Sequence, residues 1–291
     1  MTVVVGYRAD KVGLSGLYLA AGIARTLHTS LTVATIVPKA WPAPSLARVD
    51  AEYEYWAAHL AENSADEARS YLMPLTEGLE VNYCQGAHRS VSRGLADVVE
   101  KVGAEILVLG SLPSSGRVHM VGTTADSLLH SSPVPVAISS PGYQSRTGRL
   151  TRLTCAYSAI PQSIDVVSRC AEYAERMQIP LRIMTFAVRG RTMYPPDVGL
   201  NAEDSILEAW AGQARNTLES LKIDGAIGDD VTLQVITGHS WLEALHRADW
   251  VDGEILTLGT SPSGDIRRVF LGVRSGKIIR HSPVPVLVLP G

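Results

Sequence analysis

The stretch "SPVPV" occurs at residues 132–136 and again at residues 282–286, so the two copies lie 150 positions apart. A second matching pair, "EILVLGS" at 105–111 and "EILTLGT" at 254–260, lies 149 positions apart. Two separate matches at almost the same spacing indicate a duplicated unit rather than a chance similarity between strands. The chain is therefore predicted to contain the same fold twice.

The domain boundaries follow from this spacing. With 291 residues, the chain has the length of two ordinary domains. Residues 141–151 read "PGYQSRTGRLT", a polar segment rich in turn-forming residues that suits a linker. We predict one domain over 1–140 and a second over 152–291, and we expect the two domains to pair with each other.

Each half alternates apolar runs typical of buried strands with segments of helical spacing. In the first half the predicted strands and helices, in chain order, are 3–7, a helix from 15, 31–37, helix 46–73, 79–83, helix 91–102, 106–109, helix 123–129 and 134–138. Strict alternation of this kind is typical of α/β folds with a parallel sheet. We predict two tandem doubly wound domains, each a five-stranded parallel sheet with helices on both faces.

The prolines of "SPVPV" predict the place of the last strand. Proline has no amide N–H, and alternate residues of a strand point their N–H groups toward the same neighbour. The last strand of each domain is therefore expected at a sheet edge. We expect these edges, residues 133–138 and 283–288, to meet each other or to form a homodimer, across a ladder with few hydrogen bonds.

A candidate binding loop follows the fourth strand of the first half. Residues 110–124 read "GSLPSSGRVHMVGTT", a Gly- and Ser-rich loop that runs into a predicted helix. Ligands of doubly wound sheets bind beyond the carboxyl ends of the strands, and free backbone N–H groups at a helix start can hold a phosphate. Thr123 and Thr124 offer hydroxyl groups to such a ligand. Alternatively, one of them is only the N-cap of the helix.

The doubled ending, the two "EIL" strands and the long helix containing "EYEYWAAHLAENSADEA" resemble the universal stress protein family, arranged as two fused copies. The resemblance implies strand order 3-2-1-4-5 and, in some members, binding of ATP, AMP, cyclic AMP or another adenine nucleotide. Carried onto this sequence, the implied nucleotide-binding residues are Tyr7, Arg8, Val37, Gly110, Ser111, Gly122, Thr123, Thr124, Gly259, Thr260, Gly272, Arg274 and Ser275.

The sequence departs from the pattern of the ATP-binding members. Those members carry Gly-x-x-Gly, nine residues, and then Gly-Ser/Thr, but Pro113 and Pro262 stand at the second glycine. Val273 replaces the hydroxyl residue of the second half, and Arg8 and Ser158 stand where an Asp is usual. Proline fixes φ and removes one N–H donor. A nucleotide is therefore expected in the first domain more than in the second, with a nucleotide-free scaffold as the alternative.

Other classes of function find little support in the sequence. The net charge of −3 gives no basic field for nucleic acid, and no apolar run is long enough to span a membrane. The N-terminus lacks the pattern of a signal peptide, so a cytoplasmic protein is expected. No histidine or cysteine has metal-ligand spacing, and no nucleophile stands with a base. We expect a non-catalytic stress-response module with an unidentified protein partner; a slow ATP hydrolase is the enzymatic alternative.

Overall fold

The computed structural model describes residues 1–9, 13–39, 47–75, 77–111, 122–157, 164–188, 200–259, 261–262, 269–270 and 273–290. The first half contains β1 (Thr2–Gly6), α1 (Leu14–Thr26), β2 (Ser30–Pro38), α2 (Ala47–Leu72), β3 (Val81–His88), α3 (Val91–Val102), β4 (Ala104–Leu109), α4 (Thr123–Ser131) and β5 (Val136–Ile138). The second half contains β6 (Arg152–Ala156), α5 (Ile164–Met177), β7 (Leu181–Val188), α6 (Leu200–Ile223), β8 (Thr232–Gly238), α7 (Trp241–Arg247), β9 (Glu254–Gly259), β10 (Ser261–Pro262), β11 (Val269–Phe270), α8 (Val273–His281) and β12 (Val286–Leu289).

The main strands form one ten-stranded sheet in the order β3-β2-β1-β4-β5-β12-β9-β6-β7-β8. Each half contributes five strands, which are parallel to one another and follow the order 3-2-1-4-5. The predicted fold class is therefore confirmed. The short antiparallel pair β10–β11 lies outside this sheet and was not predicted.

Helices cover both faces of the sheet. One buried cluster contains Leu17 of α1, Leu72 of α2, Cys170 of α5 and Leu218 of α6. A second buried cluster, on the opposite face, contains residues of α3, α4, α7 and α8, among them Leu95. Because equivalent helices of the two halves share one cluster, both domains present the same face to the same side.

The two halves join through β5 and β12, which pair in antiparallel fashion, with Val136 opposite Val288 and Ile138 opposite Val286. Each is the last strand of its own domain, so the prediction that the two edges meet within the chain is confirmed. Strand β4 lies on the other side of β5, and β9 lies on the other side of β12. This leaves neither strand a free edge for the homodimer expected through residues 133–138 and 283–288.

The missing N–H groups of the prolines face the opposite side of the strand from the one that we expected. The carbonyl of Pro135 accepts a hydrogen bond from Leu107 N of β4 at 2.9 Å, and Pro285 accepts one from Leu256 N at 2.9 Å. The nitrogen and oxygen of one strand residue point toward the same neighbour, so the missing N–H falls inside each domain. Val136 keeps its donor for the other domain, and the expected depleted ladder between the domains is wrong.

The third strand extends further than the sequence indicated. We predicted residues 79–83, whereas β3 runs from Val81 to His88 and includes Gly86, which pairs with Ile36. Strand β3 is the outer strand of the sheet, and its residues alternate between half-buried and largely exposed. An edge strand needs no continuous apolar run, so the apolar signal ended before the strand did.

The linker, residues 141–151, is hydrogen-bonded to both domains. Leu150 N donates to Thr26 Oγ1 at the end of α1, at 2.9 Å. On the other side, Arg146 N donates to Asp252 Oδ2 at 2.9 Å. The ion pair between Arg176 of α5 and Glu105 of β4, at 2.5 Å, adds a direct link between the domains.

A buried charged cluster lies at the amino ends of β6, β7 and β9. Glu254 has no exposed surface and receives Arg182 Nη2 on Oε1 and Arg152 Nη2 on Oε2, each at 2.6 Å. The guanidinium of Arg182 lies 5.0 Å from the ring centre of Trp250. Burial lowers the pKa of Arg182, and the Glu254 carboxylate opposes that shift. A single carboxylate thus pairs with two adjacent guanidinium groups, so these three side chains together keep one positive charge.

Glu254→Gln is expected to lower the free energy of unfolding by about 3 kcal/mol, because it leaves buried cations without a counter-charge. Urea denaturation of the full chain measures the loss. Asp66→Asn is the matched control: it removes the carboxylate of the exposed Asp66–Arg69 pair and should cost less than about 1 kcal/mol. Equal losses in the two variants would contradict this account of the cluster.

Candidate functional site

The first domain offers a site at the carboxyl ends of β1 and β4. These strands are neighbours, with Gly6 opposite Leu109, and the strand order reverses its direction between them. Such a switch point is where doubly wound sheets bind their ligands. Tyr7 follows the first strand and Gly110 follows the second, so two of the predicted site residues reach this position.

Helix α1 begins directly against the end of β4. A Cβ on Gly16 would lie 2.8 Å from the backbone nitrogen of Gly110, and a Cβ on Gly110 would lie 2.9 Å from Gly13 Cα. Only glycine permits an approach this close from both sides. The start of α1 is therefore fixed beside the loop that follows β4.

Three serines meet at this contact. The hydroxyl oxygen of Ser139, which has no exposed surface, accepts a hydrogen bond from Ser111 N at 3.0 Å and is bonded to Ser15 Oγ at 2.8 Å. Ser139 N in turn donates to Leu109 O at 3.0 Å. Ser111 is only 6% exposed, and its buried hydroxyl oxygen has no hydrogen-bond partner among the described residues. We refer to Ser15, Ser111 and Ser139 as the serine cluster.

The residues after β1 are held by helix α2. Tyr7 is buried and its hydroxyl is hydrogen-bonded to Glu67; burial first, and then this carboxylate, raise the pKa of the phenol. Ala9 N donates to Ser64 Oγ at 3.0 Å. Arg8 is half-buried, and Val37 is buried near the end of β2. These contacts fix the β1 side of the site to the long helix.

Helix α4 provides the other predicted part of the site. Its N-cap is Gly122, which is extended, and no side chain caps the helix. The alternative that Thr123 or Thr124 is the N-cap is therefore wrong: both lie within the first turn, Thr123 exposed and Thr124 half-buried. The loop between Ser111 and Gly122 lies outside the described residues.

The second domain differs at the equivalent positions. Val166 of α5 stands where α1 has Gly16, and its Cγ2 lies 2.1 Å from the position that a Cβ on Gly259 would take. The counterparts of Ser15 and Ser139, 150 positions later, are Asp165 and a fully buried Leu289. The end of β9 is thus covered by an isopropyl group, with no counterpart of the serine cluster at these two positions.

The remaining predicted residues of the second domain are only partly described. Thr260 and Gly272 lie outside the described residues. Arg274 and Ser275 lie in the first turn of α8, where Ser275 is half-buried and the side chain of Arg274 lies outside the described part.

Two polar residues of the site, Ser15 and Ser139, were not among the predicted candidates. A comparison of the two halves would have indicated them, since each changes chemical class at the spacing of 150 positions. Within the described ranges, no group of three or more His, Cys, Asp or Glu side chains is placed to hold a metal ion. Nor does any helix among these residues have the length and apolar character required to cross a membrane.

The universal stress protein family profile matches residues 1–140 and, separately, residues 150–290. The chain belongs to the universal stress protein family. Its two matches confirm the tandem arrangement. Universal stress protein Rv2319c of Mycobacterium tuberculosis (strain ATCC 25618 / H37Rv) and universal stress protein Mb2346c of Mycobacterium bovis are each 64% identical to the chain over 292 residues, with both chains covered completely.

Solved structures of the family share the fold. A universal stress protein from Archaeoglobus fulgidus matches with a TM-score of 0.67 at 17% identity, over 99% of this chain and 98% of that one. A second structure, described as a putative universal stress protein from Pseudomonas aeruginosa, matches with a TM-score of 0.58 at 13% identity, over 99% and 92%. Both agree with the tandem α/β architecture along the whole chain.

Gly16→Ala is expected to destabilise the protein by about 1–3 kcal/mol, because the new methyl group would press on the backbone of Gly110. The better helix propensity of alanine does not offset this contact. Gly212→Ala in α6, where a Cβ meets no atom within 4 Å, is the matched control and should stabilise by about 0.5–1 kcal/mol. Urea midpoints of both variants test the close approach; a stabilised Gly16→Ala would contradict it.

Proposed function

We propose that the protein is a cytoplasmic, non-catalytic stress-response module that binds one adenine nucleotide per chain, in its first domain. The observation that carries the proposal is the difference between the two switch points. In the first domain glycines and serines meet at the end of β4, whereas Val166 covers the end of β9 in the second. Hydroxyl and amide groups suit a phosphate-bearing ligand, and an isopropyl group does not.

The start of α4 supports the same ligand. Its first-turn amides have no partner within the helix and no capping side chain, so they can donate to an oxyanion. Thr123 is exposed at this point and adds a hydroxyl group. The adenine base is the part of the ligand that family membership, rather than this geometry, supports.

A binding role is favoured over hydrolysis by the kind of groups present. Phosphoryl transfer needs a metal ion and a residue that orients the nucleophile. The described groups at the end of β4 are serine hydroxyls and backbone amides, which bind and position a phosphate without activating water. The unidentified partner would then respond to whether the site is occupied.

A second candidate function is a nucleotide-free scaffold. Two contacts support this candidate, because both occupy space at the switch point that a ligand would need. Helix α1 packs tightly against Gly110, and Tyr7 is hydrogen-bonded to Glu67. Pro113, in the loop after β4, removes one N–H donor that ATP-binding members retain. In this case the protein would act through the outer surface of its two paired domains, without a bound ligand.

Calorimetry of ligand-free protein with ATP, AMP and cyclic AMP distinguishes the two candidates. We expect one site per chain, and a loss of about tenfold in affinity in Thr123→Val, which removes one hydrogen bond to a charged group and copies the valine of the second domain. Val273→Thr, the reverse change in the second domain, should leave the affinity unchanged. Absence of binding heat and of a melting shift at millimolar nucleotide would favour the scaffold.

A further inference from the structure

We propose that the outward side of α2 is a docking surface for a basic, arginine-containing segment of a protein partner. The inference does not depend on a bound nucleotide. Its starting point is a pair of large aromatic side chains in the first half of α2: Tyr55 is 72% exposed and Trp56 is 47% exposed. An exposed ring contributes little to the core, whereas tyrosine and tryptophan are enriched where proteins bind one another.

The packing of α2 shows that these rings are not needed for the core. The buried residues of the helix follow helical spacing along one side and are Ala61, Ser64, Ala68 and Leu72. At about 100° per residue, Tyr55, Trp56 and the exposed His59 fall on the opposite side of the helix. The aromatic side of α2 therefore faces away from the sheet.

The exposed rings are held in place by neighbouring side chains. The ring of Tyr55 stacks on His59, with 5.6 Å between the centroids and 17° between the planes. Trp56 packs against Tyr53, also at 5.6 Å, and the hydroxyl of Tyr53 donates to Pro38 O at the end of β2. Rings that are ordered before a partner arrives lose less side-chain freedom when it binds.

The charge of α2 determines which partner fits the rings. The helix contains six acidic and two basic residues, a formal charge of −4, whereas the whole chain carries −3. Glu52 lies one turn before the exposed rings, and Glu62 lies one turn after His59 on the same side. These carboxylates attract a cationic segment, and they repel nucleic acid, an anionic membrane and the same helix of a second copy.

The chain itself shows how such a surface holds an arginine. The guanidinium of Arg69, also on α2, lies 4.6 Å from the ring centre of Tyr83 and forms an ion pair with Asp66. The planar guanidinium can use a ring face and a carboxylate at the same time. Over the part of the chain that the structure describes, no cation lies on the ring of Tyr55 or Trp56. Both faces are therefore available to an arginine of a partner.

The second domain has only part of this surface. Helix α6 exposes one tryptophan, Trp210, at 52%. Ala209 precedes it and Gln213 follows three positions later, where α2 has a tyrosine and a histidine around Trp56. The formal charge of α6 is −2, half that of α2. The docking surface is therefore assigned to α2, and α6 provides a control.

The test uses the full chain and an end-capped arginine nonapeptide, with a citrulline nonapeptide of similar shape as the uncharged comparison. Calorimetry at low salt should detect binding of the arginine peptide alone. Tyr55→Ala/Trp56→Ala should weaken this binding by about tenfold, the effect of two exposed cation–π contacts. Glu52→Gln/Glu62→Gln should weaken it by about fivefold, the effect of two exposed ion pairs.

Three variants are matched controls. Tyr55→Phe/Trp56→Phe keeps both ring faces and should retain most of the affinity. Trp210→Ala removes the exposed tryptophan of α6, and Glu172→Gln/Glu175→Gln removes two exposed carboxylates of α5, on the same side of the sheet as α2. Both of these variants should bind the arginine peptide like the parent protein.

Equal binding by the parent protein and Tyr55→Ala/Trp56→Ala, or an equal loss in Trp210→Ala, would overturn the docking surface. Citrulline peptide that binds as tightly as arginine peptide would overturn the basic partner, as would tighter binding of a glutamate nonapeptide or of duplex DNA. Absence of arginine-peptide binding would also overturn the surface. Calorimetry of the same variants with ATP reports on the proposed function separately, because neither ring belongs to the residues of the switch point.

Discussion

The antiparallel contact between β5 and β12 is the constraint on which the rest of the molecule depends. It makes one ten-stranded sheet from two parallel ones, and it places equivalent helices of both halves on the same face. It also places Ile138, the last residue of β5, opposite Val286, the first residue of β12. Ser139, which belongs to the serine cluster and directly follows β5, therefore lies near the start of β12. The pairing of β5 with β12 therefore fixes the position of the switch point of one domain relative to that of the other.

The serine cluster of the first domain and the charged cluster of the second lie at opposite ends of their strands. In the second domain the charged cluster around Glu254 lies at the amino ends, where the first domain has a hydrogen bond between Thr2 and Thr32, at 3.1 Å, and Glu105, which pairs with Arg176 of the second domain. In the first domain the serine cluster lies at the carboxyl ends, where the second has Leu289. Buried polar groups are costly unless they are satisfied, so each cluster needs its own reason to persist. The charged cluster is held together by its own ion pairs, whereas the hydroxyl of Ser111 in the serine cluster has no partner among the described residues.

The sequence predicted the architecture because the fold depends on signals that repeat along the chain. Alternating strands and helices and the spacing of 150 positions are enough to give two doubly wound domains with their last strands in contact. We predicted the wrong side for the missing N–H groups of the prolines. A strand has two sides, and the sequence alone does not say which of them faces β4. Strand β3 was placed too early because an edge strand is half-exposed. The serine cluster was missed because its members, at 15, 111 and 139, are distant in sequence and meet only through the close approach of Gly16 and Gly110.

The loops after Gly110 and Gly259 are the visible signal in the sequence. The contacts at the start of each loop, however, depend on the residue of the covering helix that faces the glycine. Gly110 directly follows β4 and Gly259 is the last residue of β9, and both precede loops of similar composition. What differs is the helix that covers them: Gly16 lets a backbone approach in one domain, and Val166 presents a branched side chain in the other. The valine at that position places apolar packing where the first domain has a contact between two backbones. Duplication permits this divergence, because the valine half still completes the shared sheet while the glycine half keeps a polar switch point.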